Sequence, residues 1–375
     1  MGSGGRPVEG LVVSSPFATA FAGRSVLVTG HTGFKGAWLS LWLHRLGARV
    51  TGYALEPPSE PNLYTVARVG DVVAVDHRRD LRDQDRLTRA VAQAAPQFVF
   101  HLAAQALVRE GYRIPQETFE VNVIGTGALL EAVRHYGRPC VVVIITSDKC
   151  YENQEREEGY AESDPMGGYD PYSASKGAAE LLVASYRRSF FPSDRLASHG
   201  VRVATARAGN VIGGGDWAAE RIVTDIVRSL VAGEAIPLRN PDAVRPWQHV
   251  LEPLGGYLTL ATRLAGDAGA DLCGPWNFGP READDLSVRE LVERFIGRWG
   301  EGSWVDASRR EQPHESKTLR LKIDKAGREL GWRPRWGIDD AIDRTVDWYR
   351  RLHRREEDMQ AFTFAQIEEY EGLGA

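Results

Sequence analysis

Two residues that can act together in proton transfer lie in the segment YSASK, where Tyr172 and Lys176 are four residues apart. At this spacing both side chains share one face of a helix. A phenol is a poor base at neutral pH because its free pKa is about 10, but a nearby ammonium group favours the phenolate and lowers that pKa. Tyr172 can therefore take a proton from a substrate hydroxyl. Because Tyr-x-x-x-Lys occurs by chance in many helices, this interpretation depends on the rest of the chain.

A second pair of charged residues follows the segment VVVIITS, a predicted buried strand that ends at Ser147. Asp148 and Lys149 come directly after it. Burying a charge is unfavourable unless the charge is paired or used in function. An acid and a base side by side at the carboxyl end of a parallel strand suit proton transfer to and from a bound substrate. A simple ion pair between the two residues is the alternative interpretation.

A glycine loop precedes both pairs, in the segment VTGHTGFKGAW. Gly30 permits a tight turn, Gly33 lets the backbone approach a pyrophosphate, and Gly36 lets a helix pack closely on a strand. The helix N-terminus then offers N–H groups to the phosphates. The phosphate-binding loop of nucleotide hydrolases is excluded, because no Gly-Lys-Ser/Thr follows at the required spacing. The loop therefore predicts a dinucleotide site.

The elements that must position these residues alternate between strand and helix. Apolar runs predict strands over 25–30, 49–55, 98–104, 140–147 and 201–211, and helical spacing predicts helices over 36–48, 85–95, 122–137 and 172–190. Such alternation indicates an α/β fold with a Rossmann-like doubly wound parallel sheet, covered on both faces. After about residue 210 the alternation fades, which predicts a smaller C-terminal α/β lobe that binds substrate.

The predicted domain organisation follows from these patterns. It comprises a flexible N-terminal tail over 1–20, a dinucleotide-binding domain over 21–210 with returning segments near 240–265, a substrate-binding lobe over 211–355 and a C-terminal extension over 356–375.

Composition excludes several classes of function. The chain has 375 residues and a net charge of −5, so it has no basic field for nucleic acid. Its three cysteines show no metal-ligand spacing, which predicts no metal site and favours a reduced, cytoplasmic compartment. No apolar run is long enough to span a membrane, and the first 20 residues lack the order of a signal peptide.

The dinucleotide is predicted to be NAD. Glu56 follows the second strand, where an acid binds the adenosine ribose hydroxyls, and no arginine replaces it. Asp80 and Leu81 follow a further strand, where the adenine is expected. A solvated glutamate is the alternative for Glu56. The predicted cofactor-binding residues are Gly30, Thr32, Gly33, Phe34, Gly36, Glu56, Asp80, Leu81, Ala103, Tyr172 and Lys176.

Taken together, these motifs resemble the extended short-chain dehydrogenase/reductase family. The resemblance covers about residues 24–355 and includes TGHTGFKG, HLAAQALVR, NVIGT, TSDKCYEN, DPYSASK, RAGNVIGGGDW and RPWQHVLEPLGGYL. Ser147, Tyr172 and Lys176 match the family's catalytic Ser/Thr-Tyr-Lys set, and Asn122 matches its structural asparagine. Within the family, the combination is most similar to the sugar-nucleotide 4,6-dehydratases that act on CDP-glucose.

The resemblance implies a lyase reaction that does not consume NAD. Carbon 4 of the sugar is oxidised, water is eliminated across carbons 5 and 6, and the hydride returns to carbon 6. In this scheme Asp148 is the acid for the departing 6-hydroxyl, and Lys149 takes part in carbon 5 deprotonation or enolate stabilisation. Related dTDP-sugar dehydratases carry Glu in place of this Lys, so Lys149 would need a lowered pKa to act as the base.

The resemblance also implies substrate contacts and partners. Arg109, Asn210, Asn240, Arg245 and His314 are the predicted substrate-binding residues, with the Arg245 guanidinium suited to a diphosphate. A homodimer or a dimer of dimers is expected. Three alternatives stay open: a dehydratase of another nucleotide sugar, a sugar-nucleotide 4-epimerase, which needs no acid–base pair for carbons 5 and 6, and a non-catalytic nucleotide-binding protein.

Overall fold

A computed structural model describes residues 15, 17–308, 319–356 and 358–372. Its central feature is a seven-stranded parallel sheet in the order β11-β6-β5-β4-β1-β2-β3. The strands are β1 (Ser25–Thr29), β2 (Arg49–Ala54), β3 (Val75–Arg78), β4 (Phe98–His101), β5 (Cys140–Ile145), β6 (Val201–Ala208), β7 (Val211–Ile212), β8 (Ile236–Leu238), β9 (Val244–Pro246), β10 (Gln248–His249), β11 (Pro275–Phe278), β12 (Asp285–Ser287) and β13 (Trp304–Asp306).

Helices cover both faces of the sheet, which confirms the predicted doubly wound fold. They are α1 (Ala18–Phe21), α2 (Phe34–Arg45), α3 (Leu63–Val66), α4 (Gln84–Ala94), α5 (Val108–Arg113), α6 (Pro115–Phe119), α7 (Gly125–Tyr136), α8 (Pro171–Ser189), α9 (Leu196–His199), α10 (Ile222–Ala232), α11 (Leu251–Ala265), α12 (Val288–Trp299), α13 (Ile338–Arg354) and α14 (Met359–Gly372). None of those described helices is both long and apolar enough to cross a membrane.

Strand β5 shows how the sequence builds this core. All six of its residues are buried, and successive side chains point to opposite faces of the sheet. Val142 and Ile144 join the hydrophobic cluster beneath α4 and α7, whereas Val141 and Val143 join the cluster beneath α2 and α11. The continuous apolar run is therefore required because both faces of the sheet are covered.

The second lobe consists of short elements after β6. Strands β8 and β13 pair in parallel, β9 and β12 pair antiparallel, and α10 and α12 pack beside them. The chain was expected to return to the first domain near 240–265, and α11 does pack on β5 and β6. The return extends further than that, because β11 adds to the sheet edge at β6.

Both ends of the described chain pack on α2. Phe17, in the segment predicted as a tail, and Phe21, the first residue after that segment, are buried, and Phe17 makes an edge-to-face contact with Trp42. From α14, the Glu371 carboxylate accepts a hydrogen bond from the Trp42 indole N–H at 2.9 Å. These contacts tie the C-terminal helix to the helix that begins at the glycine loop.

A buried carboxylate on α11 makes stability depend on pH. Glu252 accepts hydrogen bonds from the backbone N–H of Trp336 at 2.7 Å and from the Tyr370 hydroxyl at 2.9 Å. Burial raises the pKa of Glu252 from 4.5 to about 7. Because the folded state holds this proton more tightly than the unfolded state does, the free energy of unfolding falls as pH rises between these two values. Denaturant titrations should show wild type losing stability relative to Glu252→Gln from about pH 4.5 to about pH 7. Parallel pH profiles for the two proteins would contradict this assignment.

Candidate active site

A cavity of about 1190 Å³ lies at the carboxyl ends of the central strands and extends to residues of the second lobe. Nearly all of the residues predicted from the sequence line this cavity. They are Gly30, Thr32, Gly33, Phe34, Gly36, Glu56, Asp80, Leu81, Ala103, Arg109, Ser147, Asp148, Lys149, Tyr172, Lys176, Asn210, Asn240 and Arg245. The remaining one, His314, lies outside the described residues.

The glycine loop joins β1 to α2. Gly30 has φ of +75°, and a Cβ there would lie 2.6 Å from the Ala103 backbone nitrogen. A Cβ on Gly36 would lie 2.1 Å from the Gly30 carbonyl oxygen, so the turn requires glycine at both positions. Gly33 differs, since a Cβ there would meet only the Gly30 oxygen at 3.4 Å. Gly33 caps α2, and its open surroundings leave the helix N-terminus accessible to a phosphate.

An arginine that sequence reasoning missed binds Glu56 at the end of the cavity where the adenosine is expected, although it is not itself a lining residue. Arg78, the last residue of β3, donates a hydrogen bond from Nη1 to Glu56 Oε2 at 3.0 Å and also binds Asp76. The Asp80 carboxylate binds Arg82, at 2.6 Å. A signal for Arg78 was present, because a residue ending the third strand reaches the same sheet edge as one that follows the second strand.

Helix α8 places Tyr172 and Lys176 against the end of β5. It begins at Pro171 after Asp170, whose carboxylate caps the helix by accepting from the Ser173 N–H at 3.0 Å. Asn122 supports the first turn, since its amide donates to Ser175 Oγ at 2.8 Å and to the Gln105 carbonyl oxygen. Tyr172 and Lys176 are both buried in the cavity wall.

The expected lowering of the Tyr172 pKa is wrong. Burial raises the pKa of Tyr172 to about 12, opposed by its hydrogen bond with Ser147 and by the charge of Arg221. Burial also lowers the pKa of Lys176 to about 8. The spacing argument considered only the attraction between the two groups, whereas desolvation penalises the charged form of each one.

A single 3₁₀ turn over Asp148–Cys150 places the acid at the end of β5. Ser147 Oγ donates to Asp148 Oδ1 at 2.9 Å and accepts from the Lys149 N–H at 3.2 Å. A Cβ on Gly209 would lie 2.6 Å from Asp148 Oδ2, so this glycine makes room for the carboxylate. Within the described part of the chain, Asp148 and Lys149 form no ion pair, which argues against the simple ion-pair alternative.

A third lysine, Lys35 in the glycine loop, also lines the cavity and was missed. Burial and the charge of Arg221 lower its pKa to about 8, while the charge of Asp148 has the opposite effect. The available signal was a lysine in the first turn of α2, where the helix dipole disfavours a cation.

Beneath the acid–base pair, a buried ion pair joins α8 to β6. Arg207 Nη2 donates to Glu180 Oε2 at 2.8 Å, and both side chains are buried. Glu180 also accepts from Thr146 Oγ1 at 2.5 Å, and Arg207 also donates to the Tyr151 hydroxyl at 2.7 Å. The pair therefore connects the helix carrying Lys176 to both ends of the segment 146–151.

Glu180→Gln should destabilise the protein by about 3–5 kcal/mol, because it leaves the Arg207 charge buried without a compensating carboxylate. The matched control is Glu131→Gln on α7, whose partner Arg134 is partly exposed and which should cost less than about 1 kcal/mol. Denaturant unfolding of both variants measures the difference. Equal losses would show that the Arg207–Glu180 pair has no special structural role.

Four of the predicted substrate-binding residues, Arg109, Asn210, Asn240 and Arg245, line the cavity from different elements. Asn210 connects β6 to β7, and its carbonyl oxygen accepts from the Gln248 N–H at 3.1 Å. Arg245 lies on β9, opposite Leu286 of β12. Arg109 of α5 forms an ion pair with Glu220 at 3.5 Å. The cavity lining therefore includes the guanidinium groups of Arg109 and Arg245, which suit a diphosphate.

This fold and this Ser-Tyr-Lys site define an enzyme of the extended short-chain dehydrogenase/reductase class. Residues 27–345 match the model of the GDP-mannose 4,6 dehydratase family, and the chain belongs to that family. It is 48% identical to the CDP-glucose 4,6-dehydratase of Salmonella typhimurium over 349 residues, which cover 93% of this chain and 96% of the relative.

More distant relatives share the same architecture. The chain is 31% identical to the dTDP-glucose 4,6-dehydratase of Streptomyces antibioticus, with 87% of this chain and 92% of the relative covered. Among solved structures, a dTDP-glucose 4,6-dehydratase double mutant from Streptomyces venezuelae with NAD bound has a TM-score of 0.73 at 25% identity, covering 87% of this chain and 96% of that one.

Proposed function

We propose that this protein is an NAD-dependent CDP-glucose 4,6-dehydratase, a lyase that forms CDP-4-dehydro-6-deoxyglucose and water. The observation that supports this most directly is the Asp148-Lys149 pair, which shares one cavity with Ser147, Tyr172 and Lys176. A 4-epimerase needs the last three groups but not an acid–base pair at carbons 5 and 6. The similarity to the Salmonella CDP-glucose 4,6-dehydratase supports the same reaction and the same nucleotide.

Tyr172 removes the proton of the 4-hydroxyl in this proposal. Bound NAD would supply a hydride acceptor at carbon 4 and a hydride donor at carbon 6. Ser147 shares a hydrogen bond with Tyr172 and can bind the same substrate oxygen. To Lys176, whose pKa burial lowers to about 8, we assign contact with the nicotinamide ribose and the offsetting of negative charge that develops on the phenol.

Asp148 and Lys149 carry out the elimination. Once carbon 4 is a ketone, the proton on carbon 5 is acidic, and the 6-hydroxyl can leave as water if it is protonated. Asp148 is buried and can supply that proton. Lys149 is only partly buried, so we assign to it a role in carbon 5 deprotonation or in stabilising the enolate.

The nucleotide sugar lies between the two lobes in this proposal. Arg245 and Arg109 are assigned to the diphosphate, since a guanidinium binds phosphate oxygens in a bidentate manner. Asn210 and Asn240 are assigned to the sugar and the phosphates. Gly30, Gly33 and Gly36 hold the NAD pyrophosphate, and Glu56 holds its adenosine ribose.

Mass spectrometry of the protein incubated with CDP-glucose, and in parallel with dTDP-, UDP- and GDP-sugars, tests this function. Loss of one water from CDP-glucose, without net formation of NADH, is the expected result. Water loss from another nucleotide sugar alone would keep the mechanism but replace the substrate. A changed epimer with no water loss from any of them would refute the dehydratase proposal.

The assembly is proposed to be a homodimer formed through α7 and α8. Leu181 of α8 is 63% exposed, Phe190, just after α8, is 47% exposed, and Ile124, just before α7, is 64% exposed. Apolar side chains on adjacent helices are typical of a subunit interface. Light scattering of the wild type should give twice the mass of the chain, and Leu181→Glu should give the monomer. A wild-type monomer would contradict this proposal.

The enzyme is further proposed to act in the cytoplasm. Cys140, Cys150 and Cys273 are free thiols, as expected in a reducing compartment.

A further inference from the structure

One ion pair in the cavity wall has no role in the chemistry described above. Arg239 Nη2 donates to Asp225 Oδ2 at 3.1 Å, and both residues line the cavity. Asp225 lies in the first turn of α10, and Arg239 directly follows β8. Their side chains are 27% and 34% exposed, so each still has polar atoms that a ligand can reach.

The position of the Asp225–Arg239 pair in the cavity indicates which part of the substrate it can bind. Glu56 and Asp80 occupy the adenosine end of the cavity, and Tyr172 and Asp148 occupy the end where the sugar reacts. The pair instead lies on the second lobe beside Ile222, Val223 and Pro237, which also line the cavity. An apolar wall next to a polar pair is the environment expected for a nucleobase, because its faces are apolar and its edge forms hydrogen bonds.

We propose that Asp225 and Arg239 read the cytosine edge of the nucleotide and so select CDP-sugars; this inference rests on the proposed function. Cytosine presents an amino donor at N4 next to acceptors at N3 and O2. A carboxylate only accepts hydrogen bonds and a guanidinium only donates them. Asp225 therefore accepts from the N4 amino group, while Arg239 donates to the adjacent acceptors.

The same pair rejects uracil and thymine. Both bases carry a carbonyl oxygen at position 4 and an N–H at N3, so these two positions are reversed relative to cytosine, whereas O2 stays an acceptor. The carbonyl would face the Asp225 carboxylate and the N–H would face the Arg239 guanidinium. Each of these contacts leaves a desolvated group without a partner, which is how a polar site discriminates most strongly. Glu220 is less suited to this role, because it lies 3.8 Å from Arg239 and also pairs with Arg109.

Asp225→Asn tests the proposal, since an asparagine can turn its amide N–H toward a carbonyl. The ratio of kcat/KM for CDP-glucose to that for UDP-glucose should fall at least tenfold, with UDP-glucose turnover rising. The matched control is Asp242→Asn, which removes a carboxylate that pairs with Arg289 in the same lobe but does not line the cavity. This control should leave the ratio unchanged.

Inhibition of the wild type by CDP and by N4,N4-dimethyl-CDP provides a test that does not depend on the folding of a variant. Removing both N4 hydrogens should weaken inhibition roughly tenfold or more. A ratio that stays constant in Asp225→Asn, or equal inhibition by the two nucleotides, would overturn the inference while the dehydratase function stands. Failure of the wild type to dehydrate any nucleotide sugar would instead refute the proposed function, before any variant is made.

Discussion

Tyr172→Phe should lower kcat for CDP-glucose by roughly a hundredfold to ten-thousandfold, the range typical for loss of a general base. The phenyl ring fills the same buried space, so the substitution removes the hydroxyl and its hydrogen bond with Ser147 without opening a cavity. Because the 4-hydroxyl proton must leave as the hydride does, both oxidation and all later steps should slow together.

The raised pKa of Tyr172, about 12, leads to a further expectation about its charged neighbours. A phenol with that pKa is protonated at neutral pH. It can therefore act as the base for the 4-hydroxyl only if nearby positive charge stabilises its phenolate form. The charge of Arg221 lowers the pKa of Tyr172, and the proposed mechanism gives Lys176 the same effect, so loss of either charge should also slow oxidation. Stopped-flow measurement of the first oxidation separates this effect from the elimination.

Tyr257→Phe is the matched control. Tyr257 is also fully buried, but its hydroxyl has no hydrogen-bond partner among the described residues, and it does not line the cavity. Its variant should keep normal turnover. Normal turnover in Tyr172→Phe as well would show that another group removes the 4-hydroxyl proton.

Local patterns predicted the fold and most of the residues that line the cavity, because the relevant contacts are set by chain order. A buried parallel strand must be apolar along its whole length, so the sequence was sufficient to predict β5. Because the sheet is parallel, the carboxyl end of β5 had to lie at the same sheet edge as the glycine loop. Gly30 and Gly36 were visible because no other residue fits those turns. Eighteen of the predicted site residues, which come from segments far apart in the sequence, thus line one cavity.

Other features depend on the tertiary structure and could not be predicted. The raised pKa of Tyr172 comes from burial, which depends on all of the surrounding elements and not on the spacing to Lys176. The ion pair between Arg239 and Asp225 joins elements of the second lobe, where the strands are only two or three residues long and give weak patterns. Strand β11 has four residues and was missed for the same reason.

Asp148→Asn should stop the reaction after oxidation and lower the rate of water loss by roughly a thousandfold. The Asn side chain has nearly the same shape, and its Oδ1 can still accept the hydrogen bond from Ser147. It has no acidic proton to give to the departing 6-hydroxyl. In the proposed mechanism, oxidation at carbon 4 uses Tyr172, so this step should continue.

The observation expected for Asp148→Asn is a reduced cofactor that is not reoxidised. Hydride returns to carbon 6 only after water has left, so each active site should accumulate about one equivalent of reduced nicotinamide, visible as near-ultraviolet absorbance. Wild type should show only a transient signal. The control is Asp164→Asn, which removes a carboxylate from the segment between β5 and α8 that does not line the cavity.

The two ways in which this prediction can fail identify different errors. Unchanged water loss would show that Asp148 is not the acid, and Lys149 or Lys35 would then have to protonate the leaving group. A variant that neither forms reduced nicotinamide nor loses water would place Asp148 in the oxidation step, through its contact with Ser147. Only accumulation of the reduced cofactor agrees with an acid that acts after carbon 4 has become a ketone, because it requires the Tyr172 step to work and the next step to stop.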